Sequence, residues 1–169
     1  MRYLLLIAVS VIALAAPAPA PAEGAPQTAR ATFINTKGEE AGTALLTDTP
    51  HGLLIKAEFT KLPAGPHGFH LHAVGKCEPP FKTAGGHYNP TNKKHGFLNP
   101  QGIHAGDLPN IHVGADGKLT VEAFAPQVTL AGLLDQDGSA LLVHDKADDY
   151  KTDPAGDSSD RIACGVISR

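Results

Sequence analysis

Short apolar runs, broken at close intervals by Gly, Pro, Asn and Asp, set the pattern of this chain. The runs "ATFIN", "GTALLTDT", "GLLIKAEFT" and "KLTVEAFA" are β-rich and alternate in part, as strands with one buried face do. "ADGK" at 115–118 and "DQDG" at 135–138 are turn signals. No stretch sustains a long helical period and no segment repeats, so the pattern predicts an all-β sandwich or barrel. Two stretches do not fit strands. Residues 73–110 and 145–160 are rich in Gly, Pro, Asn, Asp and Lys, and loops of that length in a compact domain usually carry function.

The N-terminus follows a different pattern. Arg2 precedes an apolar run from Tyr3 to about Ala16, and small residues follow. This is the arrangement of a secretory signal peptide over residues 1–22, cut after Ala22 or nearer Ala15. A retained membrane anchor is the other reading, but the run falls short of the roughly 20 residues a span needs. Residues 23–30 then read as an Ala/Pro-rich tether, and residues 31–169 as one domain. Export places the chain in the periplasm or outside the cell, where an oxidising environment favours a bridge between Cys77 and Cys164. The net charge of -3 offers no basic patch for nucleic acid, and no membrane contact is expected once the signal is removed.

Nine histidines stand out against this composition. In "GFHLH", alternation puts Phe69 and Leu71 on one face of a strand and His70 and His72 on the other. Two imidazoles on one rigid face are half of a metal site. The stretch "GGHYNPTNKKHGFLNPQGIHAGDLP" supplies His87, His95, His104 and Asp107, a plausible tetrahedral set for zinc. A metal would also order a loop with few apolar residues. His144, in "LLVHDKADDY", closes a strand and is available to the His70/His72 pair, and imidazole-rich sets suit copper as well as zinc. The donors add up to two metals.

The motifs "GFHLH", "GGHYNP", "HAGDLP", "LLVHDKADD" and "DRIACGVI", in this order, resemble a copper/zinc superoxide dismutase of the secreted bacterial kind, from about Ala31 to Ile167. The resemblance implies a Greek-key barrel or sandwich of about eight antiparallel strands with two long functional loops. It implies an oxidoreductase that converts two superoxide anions to oxygen and hydrogen peroxide, with copper and zinc and no organic cofactor. Carried over by motif, copper falls to His70, His72, His87 and His144, and zinc to His87, His95, His104 and Asp107. His87 is then shared, and it passes a proton to the forming peroxide. Asp148 matches a carboxylate linking one ligand of each metal, Arg161 an arginine that attracts the anion, and Cys77–Cys164 the family disulfide.

The remaining histidines are expected to be structural or solvated. His67 braces backbone, while His51 and His112 lie at the surface among turn signals. "GFLNPQG" departs from the glycine and proline that many family members carry after the second zinc histidine, so the loop's shape is expected to differ. "KADDYKTDPAGDSSDR" holds few lysines, and Lys151 is a candidate guiding charge by position alone. A homodimer is open. The alternative function is a copper-binding or copper-delivery domain on the same scaffold without turnover; the presence of every ligand together with Arg161 favours the enzyme.

Overall fold

The computed structural model describes residues 26–169; the expected signal segment, 1–22, and residues 23–25 of the expected tether lie outside the described residues. Nine strands form in chain order: β1 Thr28–Asn35, β2 Glu40–Thr49, β3 Gly52–Phe59, β4 Gly65–His67, β5 Phe69–His72, β6 Ile111–Val113, β7 Leu119–Ala125, β8 Ala140–His144 and β9 Arg161–Ser168. Seven pair in the order β5-β8-β9-β1-β2-β3-β7, every pairing antiparallel, and β4 pairs with β6. β3 joins β7 and β5 joins β8, skipping the strands between, which are Greek-key connections. β4 and β5 are separated by Gly68 alone and pair with different neighbours, so counted as one bent strand they give the expected eight. One boundary shifts. Thr28, Ala29 and Arg30 belong to β1 rather than to a tether, because Ala29 is buried in the core and its ladder with β2 begins at Thr28.

Alternation fills the interior. Phe33 and Phe69 each meet Phe59 edge to face, at centroid distances of 4.8 and 6.1 Å, and lie tilted 6.4 Å from each other, a cluster that fixes β1, β3 and β5 against one another. Leu46, Ile55, Leu71, Leu141 and Val143 pack around them. Each such side chain contributes roughly 1.5–3 kcal/mol on burial. A second, smaller cluster lies on the opposite face of β8 and β9: Ala140, Leu142 and Cys164 are covered by Phe81 and Ala84. This cluster tethers the start of the first long loop, as does the Cys77–Cys164 disulfide. No described helix is long and apolar enough to cross a membrane; α1, Leu130–Leu133, is a single turn capped by Thr129.

Candidate metal centre

β5 sends Phe69 and Leu71 into the core and His70 and His72 to the outer face, as alternation requires. That face is not solvated. Both imidazoles are fully buried beneath the two long loops. The first of these loops reaches them through the free edge of β5. Leu71 N–H donates to Gly106 O at 2.9 Å, Tyr88 N–H to Leu71 O at 2.8 Å, and Ala73 N–H to Gly86 O at 3.0 Å. Isolated bridges pair His72 with His87 and His70 with Asp107, so the ligand strand itself holds these two loop residues.

His144 arrives from β8 through a register shift. Val143 faces Ala163, but His144 faces Arg161, skipping Ile162. Such a bulge re-aims side chains at a strand end. Here it brings an imidazole and a guanidinium to one point. Arg161 is held in turn by the first loop: Nη1 donates to Phe81 O and Nη2 to Gly85 O, each at 2.6 Å. Phe81 adopts the left-handed conformation (φ 69°) next to the turn Lys82–Ala84, and this presents the carbonyls.

Two groups of donors result: His70, His72, His87 and His144, and His87, His95, His104 and Asp107, with the donor atoms of each group all within 4.8 Å of one another. In the first group every ring has its other nitrogen placed. His70 Nε2 meets Asp148 Oδ2 at 2.8 Å, His72 Nδ1 meets Gly85 O at 3.0 Å, and His144 Nδ1 faces Ser159 O at 3.4 Å. Those partners fix the tautomers and leave lone pairs on His70 Nδ1, His72 Nε2 and His144 Nε2. These three atoms and His87 Nε2 are the buried side-chain nitrogens or oxygens without a partner among the described residues. A partnerless buried polar atom costs about 1–3 kcal/mol, so four aimed at one point fit a bound cation that accepts all four. Burial also keeps them unprotonated. It lowers His87 to about 4 and His144 to about 3, and depresses His70 and His72 as well.

In the second group, Asp107 Oδ1 lies 2.8 Å from His87 Nδ1, 3.1 Å from His95 Nδ1 and 3.2 Å from His104 Nδ1, with the His87 and His104 nitrogens 3.3 Å apart. A tetrahedral zinc with bonds of about 2.0–2.1 Å needs donors about 3.3 Å apart, so these separations fit that ion. Asp107 is held by Gly96 N–H and His104 N–H on its other oxygen, at 2.9 and 3.1 Å. Burial disfavours the charged carboxyl, but the three histidines pull it far below the usual carboxylate range.

Asp148 joins the groups, with Oδ2 on His70 Nε2 and Oδ1 on His95 Nε2 at 2.9 Å. Burial opposes charge on His95, yet the hydrogen bonds and charges of Asp107 and Asp148 outweigh it and raise that ring to about 9. The carboxylate's seat requires Gly156 (φ 64°): a Cβ there would overlap Asp148 Oδ1 and lie 2.8 Å from His95 Nε2. Gly156→Ala is therefore expected to displace Asp148 and weaken zinc retention by about tenfold, the effect typical of losing such a partner. Competition against a chelator measures it; unchanged zinc affinity would mean that Asp148 does not depend on this glycine.

His67 braces backbone as expected, with its ring nitrogens 2.8 Å from His144 O and 2.9 Å from Pro63 O. His51, His112 and Lys151 are exposed. Sequence reasoning missed Asp153, whose Oδ1 accepts His95 N–H at 2.8 Å and whose Oδ2 pairs with Lys94 Nζ at 3.0 Å. It also missed Asn110 and Tyr150, which lie around Asp148. Polar residues in polar loops carry no periodic signal that would have singled them out.

The family model for copper/zinc superoxide dismutase (SODC) matches residues 40–167. Superoxide dismutase (Cu-Zn) 1 of Aquifex aeolicus is 50% identical over 144 residues, which is 81% of this chain and 85% of that one. Among solved structures, a SOD-like protein from Bacillus subtilis matches with a TM-score of 0.78 at 44% identity, covering 81% of this chain and 96% of that one. The Cu/Zn superoxide dismutase from Brucella abortus matches with a TM-score of 0.71 at 35% identity, covering 84% of this chain and 100% of that one.

Proposed function

The chain belongs to the copper/zinc superoxide dismutase family, and we propose that it is an exported member in which His70, His72, His87 and His144 hold copper and His87, His95, His104 and Asp107 hold zinc. The observation that carries this reading is the convergence of four buried ring nitrogens that have no partner within the protein. The substrate is superoxide. Bound at the first group, copper would supply a one-electron couple able to oxidise one superoxide to oxygen and, with two protons, to reduce a second to hydrogen peroxide, a role closed to redox-inert zinc.

The residues around it supply the rest. Arg161 carries a fixed guanidinium whose two backbone bonds leave other N–H donors for a small anion. His87 presents Nδ1 to the second group and Nε2 to the first, so Nε2 is the nitrogen that would carry a proton to the peroxide whenever it is released from copper. Asp148 fixes the tautomers of His70 and His95 together, which keeps the two groups in register. The disulfide fits an oxidising compartment. Export through the 1–22 signal to the periplasm or beyond agrees with it. Each chain holds a complete site, so a homodimer would leave the chemistry unchanged.

A copper carrier on the same scaffold would have no use for a positioned guanidinium beside the copper group. Arg161→Ala is therefore expected to cut the rate per copper about tenfold, on the order of 1–2 kcal/mol, with metal content unchanged. Arg161→Glu should be worse. Added salt should slow the parent protein more than Arg161→Ala, since screening acts within about 8–10 Å. Superoxide decay measured against metal content checks this; equal rates per copper at low salt would remove Arg161 from the mechanism.

A further inference from the structure

Asp148 can join the two groups only if its backbone is held still, and neither its N–H nor its C=O is bonded within its own loop. Residues 145–160 contain no strand or helix. The restraint comes from the far end of the other loop. Asn110 Nδ2 donates to Asp148 O at 2.8 Å, and Asn110 Oδ1 accepts Asp148 N–H at 2.8 Å. One side-chain amide thus satisfies both main-chain groups of Asp148, as a neighbouring strand would. The backbone N–H of Asn110 donates to the Tyr150 hydroxyl at 2.8 Å, and Tyr150 N–H donates to Asp148 Oδ1 at 2.6 Å. Asn110 itself immediately precedes β6, whose Ile111 is buried in the core. The clamp is anchored to the barrel.

We infer that Asn110 is a positioning residue for the metal centre: it acts through Asp148, and its amide sets how well His70 and His95 are aimed. This rests on the metal assignment proposed above. Both hydrogen bonds depend on the amide. Asn110→Asp keeps an acceptor and loses the donor to Asp148 O, while Asn110→Ala leaves the Asp148 N–H and C=O without either partner. Neither substitution touches a donor atom of either group.

The test is a double-mutant cycle on zinc retention by the metal-loaded protein, read as zinc transfer to a chelator. Asn110→Ala is expected to weaken retention by about tenfold in the parent protein, within the range for outer partners of ligands. Combined with Asp148→Asn it should add less than about twofold, because the residue it acts through is already impaired. Asn110→Asp should fall between parent and Ala. Melting of the metal-stripped proteins supplies the control: a purely structural role would lower it in both backgrounds and leave the zinc effects additive. Additive losses, or parent-like retention in Asn110→Ala, would overturn the inference. Absence of zinc from the parent protein would instead overturn the metal assignment.

Discussion

His144→Ala is expected to lose superoxide removal by more than about 100-fold and to lose copper, while zinc stays bound and the barrel stays folded. The asymmetry follows from where the ring's nitrogens go. His144 Nε2 belongs to the first group alone, and Nδ1 meets only the Ser159 carbonyl at a long 3.4 Å. Removing it therefore touches none of the four donors of the second group. It also deletes one of the four partnerless buried nitrogens, so the folded protein loses little internal bonding. His70→Ala should follow the same pattern for activity and copper, with an added cost from freeing Asp148 Oδ2. His87→Ala must behave differently, because its nitrogens serve both groups. It should deplete both metals in one step. Metal content by mass spectrometry, beside superoxide decay after a radiolysis pulse, separates these outcomes. Full copper and near-normal rate in His144→Ala would refute the copper assignment; loss of a single metal in His87→Ala would refute the shared ligand.

The alternation in "GFHLH" was enough to place Phe69 and Leu71 in the core and two imidazoles on the other face, since strand period is local. The donor residues were legible for the same reason: histidine and aspartate are conspicuous in a loop of Gly, Pro and Asn. Burial of that outer face was not legible, because it depends on two loops closing over β5 from distant points in the chain. Nor was the meeting of His144 with Arg161, which needs a one-residue register shift between β8 and β9. Phe81 shows a third limit. Its sequence context names no role, yet its left-handed backbone aims a carbonyl at Arg161 while its ring fills the second cluster. Composition assigned the first residues of β1 to the tether, because Thr28, Ala29 and Arg30 look bland until they are paired with β2. Periodicity reports which face a side chain takes; the partners across that face come from topology.

Opening the disulfide should have the largest effect on stability and should reach the active centre before the barrel unfolds. Cys77 and Cys164 are 87 positions apart, and a cross-link over that span is worth up to about 4–5 kcal/mol by loop entropy. Against a typical total of about 5–15 kcal/mol, that is a large share, equivalent to roughly 10–20 °C in melting temperature. The local consequence is more specific. Cys77 leads into the stretch whose Phe81 and Ala84 pack on Cys164, and whose Phe81 and Gly85 carbonyls hold Arg161. Gly85 O also fixes the tautomer of His72. In Cys77→Ser/Cys164→Ser that stretch keeps its apolar contacts but loses its covalent tie, so Arg161 should wander while all seven donor residues remain. The expected order on warming is therefore loss of rate per copper first, loss of metal next, and unfolding last. In the oxidised parent these events should coincide. Simultaneous loss in the variant would show that the tie serves global stability alone, and two free thiols in the fully active protein would remove the disulfide from the account.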